Sequence, residues 1–360
     1  MRKVFVLMHR QSKWHRLLIM KKAYHPKVKL SRCPLSVSAG VLTISTAVRL
    51  LKMQFCRKYV YYIPMIRIGT CSWTEKTLIQ SGEFYPRDAR TAEARLRYYA
   101  GHFDTVEVDS TYYAIPALQT TSLWAERTPQ DFIFHIKAYG ALTGHGIAPG
   151  TLPEGIRSHL PEKDRAEKHV YIKERSLRES IAERFRDALL PLQKANKLGL
   201  IVFQFPPWFH CRTANMDFIL QARELMKGLP MAIEFRHGSW LTPEKRESVL
   251  HFLRENRLTY ISTDEPQYGS LATVPFLAEH TTQTAYFRFH GRNKENWLKK
   301  GIETSLRYAY LYSDGEIKEF KKVIKHMDSS AQITYAMFNN CYGNFAVRNA
   351  MKLKGELARG

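Results

Sequence analysis

The chain from residue 65 onward alternates short apolar runs with longer segments whose apolar residues recur at helical spacing. Short apolar runs bounded by turn residues are typical of strands, and their alternation with amphipathic segments indicates parallel strands joined by helical crossovers. The predicted strands are residues 66–69, 105–109, 132–137, 199–205, 231–236, 259–264, 285–290 and 333–339.

The segments between these strands predict helices with recognisable ends. Thr242 before Pro243 is typical of a helix start, and Gly228 is typical of the position just beyond a helix end. Eight strand–helix units in residues 65–360 match the size of a (β/α)8 barrel, although residues 265–282 show little helical periodicity. We therefore predict an α/β fold, a (β/α)8 TIM-barrel-like single domain, with a doubly wound open sheet as the alternative. The predicted helices are residues 91–100, 117–127, 174–196, 214–227, 243–256, 314–326 and 344–357.

Side-chain alternation along the strands predicts which residues point into the barrel. Alternate residues of a strand face opposite ways, so the apolar set faces the helices and the polar set faces inward. Asp264 and Asn339 end two further strands. Because barrel active sites lie at the C-terminal ends of the strands, these polar groups are the candidate site. The predicted inward side chains are Thr105, Glu107, Asp109, His135, Lys137, Gln204, Glu234, Arg236, Tyr286, Arg288 and His290.

The net charge of +22 is unevenly distributed along the chain. Residues 1–64 hold 14 basic residues and no acidic residue, whereas residues 65–360 hold 41 basic and 33 acidic residues. The modest excess of +8 in the second segment is weak evidence for nucleic-acid binding by the barrel. We predict that 1–64 is a basic, disordered extension. It either lies upstream of a natural start at Met65, acts as a targeting segment, or is a nucleic-acid arm.

Cysteine usage and hydropathy indicate a cytoplasmic protein without a membrane span. The five cysteines are odd in number, widely spaced and free of a CxxC pair, which favours a reducing compartment. No apolar stretch reaches 18 residues, so we predict no membrane partner. Glycine-rich phosphate loops of the GxGxxG or GxxxxGK[ST] type are absent from the sequence.

A set of short motifs resembles the YecE-like family, known as domain of unknown function seventy-two, from residue 65 to the C-terminus. The resemblance implies a single TIM-barrel-like domain but no cofactor or reaction, and a fold-level likeness to metal-using barrel endonucleases is analogy only. The sequence departs from the family pattern at Cys71-Ser72 and after Lys137, where residues 138–146 replace the family's proline-containing link to a threonine-histidine pair, whose counterpart here is Thr143 and His145. The motifs are Ile68-Gly69-Thr70-Cys71-Ser72-Trp73, Phe84-Tyr85-Pro86, Thr105-Val106-Glu107-Val108-Asp109-Ser110-Thr111-Tyr112-Tyr113, Gln204-Phe205-Pro206-Pro207, Glu234-Phe235-Arg236-His237-Gly238-Ser239-Trp240, His290-Gly291-Arg292 and Phe338-Asn339-Asn340.

The leading functional hypothesis is an enzyme, a hydrolase or a lyase, that binds a phosphorylated or other anionic substrate at the barrel mouth. Arginine guanidinium groups suit such anions because they offer planar, bidentate donors. Glutamate and histidine at the same mouth are candidates for proton transfer. The predicted acid–base residues are Glu107, Glu234, His237 and His290, and the predicted substrate-binding residues are Lys137, Gln204, Arg236, Trp240, Asp264, Arg288, Arg292, Asn339 and Asn340.

Three other interpretations stay open at this point. The inward charges nearly cancel, so an internal ion-pair network could satisfy them without a ligand. A nucleic-acid-binding or repair-associated module could use the same basic mouth and the aromatic residues that flank it. A divalent metal could be held by His237, His290, Glu107 and Asp264, but no HxH or HExxH spacing supports it and the interleaved arginines oppose it. We predict no cofactor and no metal, and leave the oligomeric state open.

Overall fold

The computed structural model describes residues 65–359, so the prediction for residues 1–64 lies outside the described part of the chain. All strand pairs in this part are parallel, in the order β1-β8-β7-β6-β5-β4-β3-β2. A parallel bridge between Cys71 and Glu107 brings the two outer strands together, so the sheet closes almost completely. The strands are β1 Met65–Thr70, β2 Thr105–Val108, β3 Ile133–Lys137, β4 Leu198–Gln204, β5 Met231–Glu234, β6 Thr259–Asp264, β7 Thr284–Phe289 and β8 Ile333–Phe338.

Helices connect successive strands except β6 and β7, and the predicted (β/α)8 barrel is confirmed. The connection from β6 to β7 contains no helix, as the lack of periodicity in this segment predicted. None of the helices in residues 65–359 is long and apolar enough to cross a lipid bilayer. The helices are α1 Lys76–Ser81, α2 Ala92–His102, α3 Leu118–Glu126, α4 Glu154–Arg157, α5 Glu162–Arg165, α6 Arg175–Lys194, α7 Thr213–Leu225, α8 Arg246–Glu255, α9 Lys294–Trp297, α10 Thr304–Arg307, α11 Asp314–Asp328 and α12 Phe345–Ala358.

One predicted helix start differs from the structure by more than one residue. Helix α8 begins at Arg246 rather than at Pro243. The backbone N–H groups of Lys245 and Arg246 both donate to the carbonyl of Thr242, so this residue opens a turn that precedes the helix. The hydroxyl-then-proline pattern therefore marks the turn, and the regular helix follows three residues later.

The barrel wall has two faces, as the side-chain alternation predicted. Aromatic and aliphatic residues such as Val106, Phe203 and Phe287 are buried against the helices. The inward face near the middle of the barrel is filled by a separate apolar group. Its fully or nearly fully buried members are Cys71, Leu200, Val202, Ala232, Ile261, Tyr286, Tyr335 and Met337. This apolar layer lies directly beneath the polar side chains at the C-terminal end of the barrel.

His135 belongs to the same interior but is not part of the mouth. Its Nδ1 accepts a hydrogen bond from the backbone N–H of Leu200 at 3.0 Å, and its ring packs edge-on against Tyr286 and Tyr335. Burial lowers the pKa of His135 to about 3, so the ring is neutral at physiological pH. Gly199 is required beside it, because a Cβ there would lie 2.7 Å from this Nδ1.

Candidate active site

Arg288, on β7, is the centre of the polar group at the barrel mouth. Its side chain is fully buried, and its Nη2 donates to Glu107 Oε1 at 2.7 Å. Its Nη1 donates to a carboxylate oxygen of Glu234 and, at 3.2 Å, to Gln204 Oε1. These partners come from β2, β5 and β4, so one guanidinium ties together four strands. Without them a charge buried this deeply would be strongly destabilising.

Glu234 extends the group toward β8 through a histidine. Its Oε1 accepts from Arg236 Nη1 and from His290 Nε2, each at 3.1 Å. Asn339 Nδ2 donates to His290 Nδ1 at 2.7 Å, which places the ring proton on Nε2. Burial acts to raise the pKa of Glu234, but Arg288 and His290 hold it well below its usual range. Burial lowers the pKa of His290 to about 3, so this ion-paired glutamate faces a neutral imidazole.

Glu265 completes the pairing of Arg236, and the sequence prediction missed it. Its Oε2 lies 3.0 Å from Arg236 Nε, and its Oε1 accepts the backbone N–H of Val274 at 2.8 Å. Burial raises the pKa of Glu265 to about 7, against the opposing effect of Arg236. The guanidinium of Arg236 also lies over the ring of Trp297 at 4.9 Å. Glu265 directly follows predicted strand 259–264, so alternation along the strand could have placed it inward.

Glu107 and Asp109 form a carboxyl pair on the inward face at the end of β2. Burial raises the pKa of Glu107 to about 7, Arg288 opposes the rise, and the neighbouring negative charge of Asp109 adds to it. The hydroxyl of Tyr286 donates to Glu107 Oε2 at 2.8 Å. Glu107 is fully buried, whereas the Asp109 side chain is 26% exposed. The pair therefore joins the buried network to the opening of the barrel.

Lys137 stands beside this pair with its ammonium group free of hydrogen bonds to the described residues. Its Nζ lies 3.7 Å from Asp109 Oδ1 and 5.1 Å from the centre of the Tyr112 ring. Asp109 Oδ1 is itself buried and has no hydrogen-bond partner among residues 65–359, and Arg288 Nη2 is 3.7 Å from it. Lys137 and Asp109 are thus close enough to attract each other but too far apart to bond directly.

Aromatic side chains from three loops line one side of the opening. Tyr112 contacts Tyr113 and His145 with ring-centre distances of 5.0 Å and 5.1 Å, and His145 contacts Trp208 at 5.8 Å. Tyr113 and Trp208 are more than half exposed. His145 is held by a 2.8 Å hydrogen bond between its Nδ1 and Thr143 Oγ1, the threonine-histidine pair noted in the sequence. This chain of rings, Tyr113-Tyr112-His145-Trp208, is called the aromatic rim below.

The structure places Asp264 and Arg292 away from this group, which corrects their predicted position in the mouth. Asp264 is in register with Phe289, so it shares the outward face of the sheet. Its carboxylate accepts a bifurcated hydrogen bond from Arg292 Nε at 3.0 Å and 3.1 Å, one from Arg292 Nη2 at 2.8 Å, and one from the hydroxyl of Tyr312 at 2.6 Å. Arg292 also pairs with Glu316 of α11 at 3.0 Å. The two residues join β6 and the loop after β7 to a helix.

Three other predicted site residues also lie outside the central group. Trp240 is fully buried, its Nε1 donates to a backbone carbonyl, and its ring stacks on Phe235, an outward residue of the sheet. His237 bonds to Ser239 and stacks on another histidine in a neighbouring loop. Asn340 is buried and donates to Asn349 of α12 and to a backbone carbonyl. Their side chains hold loops and a helix against the barrel.

No three histidine, cysteine or carboxylate side chains within residues 65–359 converge as a group able to hold a metal ion. At the mouth, guanidinium groups occupy the space between the carboxylates that could have acted as ligands. Arg288 lies between Glu107 and Glu234, and Arg236 lies between Glu234 and Glu265. These carboxylates are therefore paired with guanidinium groups in the structure.

The fold and the site define a parallel (β/α)8 barrel with an arginine–carboxylate network at the C-terminal ends of its strands. Comparison with known proteins gives the family. The chain belongs to the family described as Protein of unknown function DUF72, which matches residues 67–360, and the resemblance seen in the sequence is thereby confirmed.

Relatives of known sequence and structure cover most of the barrel. The UPF0759 protein YunF of Bacillus subtilis (strain 168) is 30% identical over 293 residues, covering 80% of this chain and 93% of the relative. The crystal structure of a DUF72 family protein from Enterococcus faecalis V583 aligns with a TM-score of 0.66 and 29% identity, over 82% of this chain and 96% of that one. A DUF72 family protein from Thermotoga maritima MSB8 aligns with a TM-score of 0.65 and 29% identity, over 82% and 99%.

Proposed function

We propose that the protein is an enzyme that moves protons to and from a small polar substrate at the mouth of the barrel. The observation that carries this proposal is the carboxyl pair Glu107–Asp109, in which burial and the neighbouring charge raise the pKa of Glu107 to about 7. A general acid or base works best when its pKa lies near the working pH, because both protonation states are then populated.

The surroundings of Glu107 support both of its protonation states. Arg288 and the Tyr286 hydroxyl stabilise its carboxylate, while burial and Asp109 favour its protonated form. Asp109 lies two residues further along the same face and is partly exposed, so it is the group through which Glu107 exchanges a proton with a ligand. Glu234, His290 and Asn339 are positioning residues in this proposal, since they fix the orientation of Arg288 and Arg236.

The charge of the substrate is the part of the hypothesis that the geometry changes most. The guanidinium groups of Arg236 and Arg292 are each already paired with two carboxylates, and that of Arg288 with three. An anionic or phosphorylated substrate would therefore rely on Lys137, whose ammonium has only a 3.7 Å ion pair. The proposal therefore moves the contact with substrate from an arginine cluster to this lysine, and the neighbouring carboxylate of Asp109 makes a strongly anionic group less suitable there.

The proposal is tested by a ligand screen followed by an NMR measurement of conversion. Phosphorylated, carboxylated and neutral polar metabolites are screened for a rise in melting temperature of the full chain. Each ligand found is then incubated with the protein in D2O, and NMR follows its conversion or its uptake of deuterium. We expect Glu107→Gln to bind the ligand but to slow this reaction by about 100-fold or more. The exposed carboxylate of Asp314, which pairs with Lys352 at 2.8 Å, provides the control variant Asp314→Asn.

Failure of the enzymatic proposal would be clear in this design. If ligands bind but neither react nor exchange protons with the wild-type protein, the mouth is a binding site without catalysis. If Glu107→Gln reacts as fast as the wild type, Glu107 is not the acid–base group. The control variant should match the wild type in both binding and rate, because Asp314 is on the outer surface of α11.

A nucleic-acid-binding module is the second candidate, and the exposed rings of Tyr113 and Trp208 favour it. Successive bases of a single strand stack on such rings, and basic residues neutralise the phosphates. Binding of single- and double-stranded oligonucleotides to residues 65–360 would then weaken steeply as salt increases. The loss of this binding in Trp208→Ala would support the module, and no binding at low salt would eliminate it.

A further inference from the structure

We propose that the mouth binds a polyhydroxylated molecule, with one of its hydroxyl groups placed between Lys137 and Asp109. This inference rests on the proposed function, whose substrate class it specifies. Most polar atoms of the site are already satisfied by one another, so a ligand is recognised by the few that are not. At the opening those few are the ammonium of Lys137 and Oδ1 of Asp109; Arg288 Nε and Glu265 Oε2 also have no hydrogen-bond partner among residues 65–359, but they belong to fully buried side chains.

The geometry of these two atoms matches a hydroxyl group. They lie 3.7 Å apart. Oδ1 is itself buried, but the Asp109 side chain is 26% exposed, so a small rotation of its carboxylate toward the opening lets one oxygen atom lie within about 2.8 Å of both. A hydroxyl can accept a hydrogen bond from the ammonium of Lys137 and donate its own proton to the carboxylate of Asp109. Both atoms then gain the partner that residues 65–359 do not supply, and the buried Oδ1 is no longer unsatisfied.

Other common ligand groups satisfy only one of the two atoms. A phosphate dianion or a carboxylate offers acceptors alone, so it bonds to Lys137 but is repelled by Asp109 and by Glu107 when ionised. A ligand ammonium has the opposite problem, because it bonds to Asp109 and is repelled by Lys137 and Arg288. The near balance of charge at this point thus selects against strongly charged ligands.

The aromatic rim provides the apolar part of the same recognition. Tyr112 links the two parts, since Lys137 Nζ is 5.1 Å from the centre of its ring and the rest of the rim continues from it. A cyclic polyhydroxylated molecule has C–H groups on its ring faces and hydroxyls at its edge. Its edge can therefore bond at Asp109 and Lys137 while a face packs on tyrosine or tryptophan rings, which combine an apolar body with a polar tip.

Saturation-transfer NMR on the full chain tests this inference directly. The probes are D-glucose, D-fructose, D-ribose and myo-inositol, compared with inorganic phosphate and citrate by calorimetry. We expect at least one of the four polyols to bind, and Lys137→Met and Asp109→Ala each to weaken it by about tenfold or more. The surface pair Lys352 and Asp314, at 2.8 Å, supplies the matched control variants Lys352→Met and Asp314→Ala, which should leave binding unchanged.

Three results would overturn the inference, and each is separable from failure of the enzymatic proposal. The first is that none of the four polyols binds, and the second is that phosphate or citrate binds more tightly than all of them. The third is polyol binding that both mouth variants leave intact. None of these results concerns the NMR rate measured with Glu107→Gln. The proposed substrate class can therefore be wrong while the proposed proton transfer is still correct. Conversely, a polyol that binds at Lys137 without reacting refutes only the enzymatic proposal.

Discussion

Replacement of Arg288 by methionine should destabilise the barrel strongly, and more at high pH than at low pH. The substitution removes the buried guanidinium that bonds to Glu107, Glu234 and Gln204 and leaves a side chain of similar length. Removing one partner of a buried ion pair typically lowers the free energy of unfolding by about 3–5 kcal/mol, because the other charge is left without compensation. Glu234 keeps Arg236 and His290 as partners, which favours the lower end of this range.

The pH dependence follows from the two glutamates that lose their partner. Without Arg288, which acts to lower the pKa of both Glu107 and Glu234, each pKa in the folded variant shifts upward. A carboxyl whose folded pKa is raised takes up a proton more readily when folded, so its ionisation lowers stability as pH rises through that pKa. Each unit of additional shift amounts to about 1.4 kcal/mol at high pH. Protonation of Glu107 and Glu234 at pH 5 reduces this part of the loss in free energy of unfolding.

Urea unfolding followed by tryptophan fluorescence, at pH 5 and at pH 8, measures both effects. The matched control is Arg254→Met, because Arg254 is 38% exposed and pairs with Glu247 at 3.0 Å on the protein surface. Such an exposed pair contributes at most about 1 kcal/mol. The reasoning is refuted if Arg288→Met loses less than about 1 kcal/mol at pH 8, or if its loss is larger at pH 5 than at pH 8.

Three further predictions concern other parts of the structure. Because the pKa of Glu107 is raised from 4.5 to about 7, ionisation of this carboxyl lowers the stability of the folded wild type as pH rises from 4 to 8. Glu107→Gln lacks this loss, so its free energy of unfolding should increase by about 3 kcal/mol relative to the wild type over this range. An equal difference between the two proteins in urea unfolding at pH 4 and at pH 8 would contradict this. Gly69→Ala should lower stability by about 2 kcal/mol or more, because the new Cβ would lie 2.3 Å from the Thr105 carbonyl at the β1–β2 seam. Gly101→Ala, whose Cβ meets nothing within 4 Å, is the control in the same thermal melts, and equal melting temperatures would be evidence against a tight seam. Asp264→Asn should cost about 1–3 kcal/mol by urea titration while leaving ligand binding at the mouth unchanged, and weaker binding would return Asp264 to the site.

The sequence predicts the inward residues of regular strands well, because one physical rule decides them. Glu107, Glu234 and Arg288 lie inside strands whose apolar neighbours fix the direction of every second side chain. At a strand end this rule holds only if the true boundary is known. The predicted strand 259–264 ends on Asp264, which faces outward in the structure, and the inward residue Glu265 lies one position beyond that predicted end.

Beyond the strand ends, side-chain direction depends on loop geometry that a sequence pattern does not contain. His237 and Trp240 follow β5 within six residues, yet the short 3₁₀ turn at Gly238–Trp240 directs the tryptophan into the outer core. The sequence pattern also does not predict which charged residues pair, because pairing depends on the register between strands that are distant in sequence. Glu107 and Arg288 are 181 residues apart and meet only because the sheet closes.

The ion-pair network and the active site, which the sequence left as competing interpretations, are compatible parts of one arrangement. Ion pairs inside a protein are often no more stabilising than apolar residues of similar size, so stability alone does not explain four strands joined through Arg288. The same contacts hold Glu107 in a fixed, buried position where its pKa is near 7 and Asp109 connects it to the opening. A proton-transfer group needs that fixed position and that balance between its two states, because reorganisation during reaction would slow it. In the proposed function, the network is the support that orients Glu107 and Asp109. The prediction that separates the roles is that Glu107→Gln keeps the barrel folded while abolishing proton exchange with ligand.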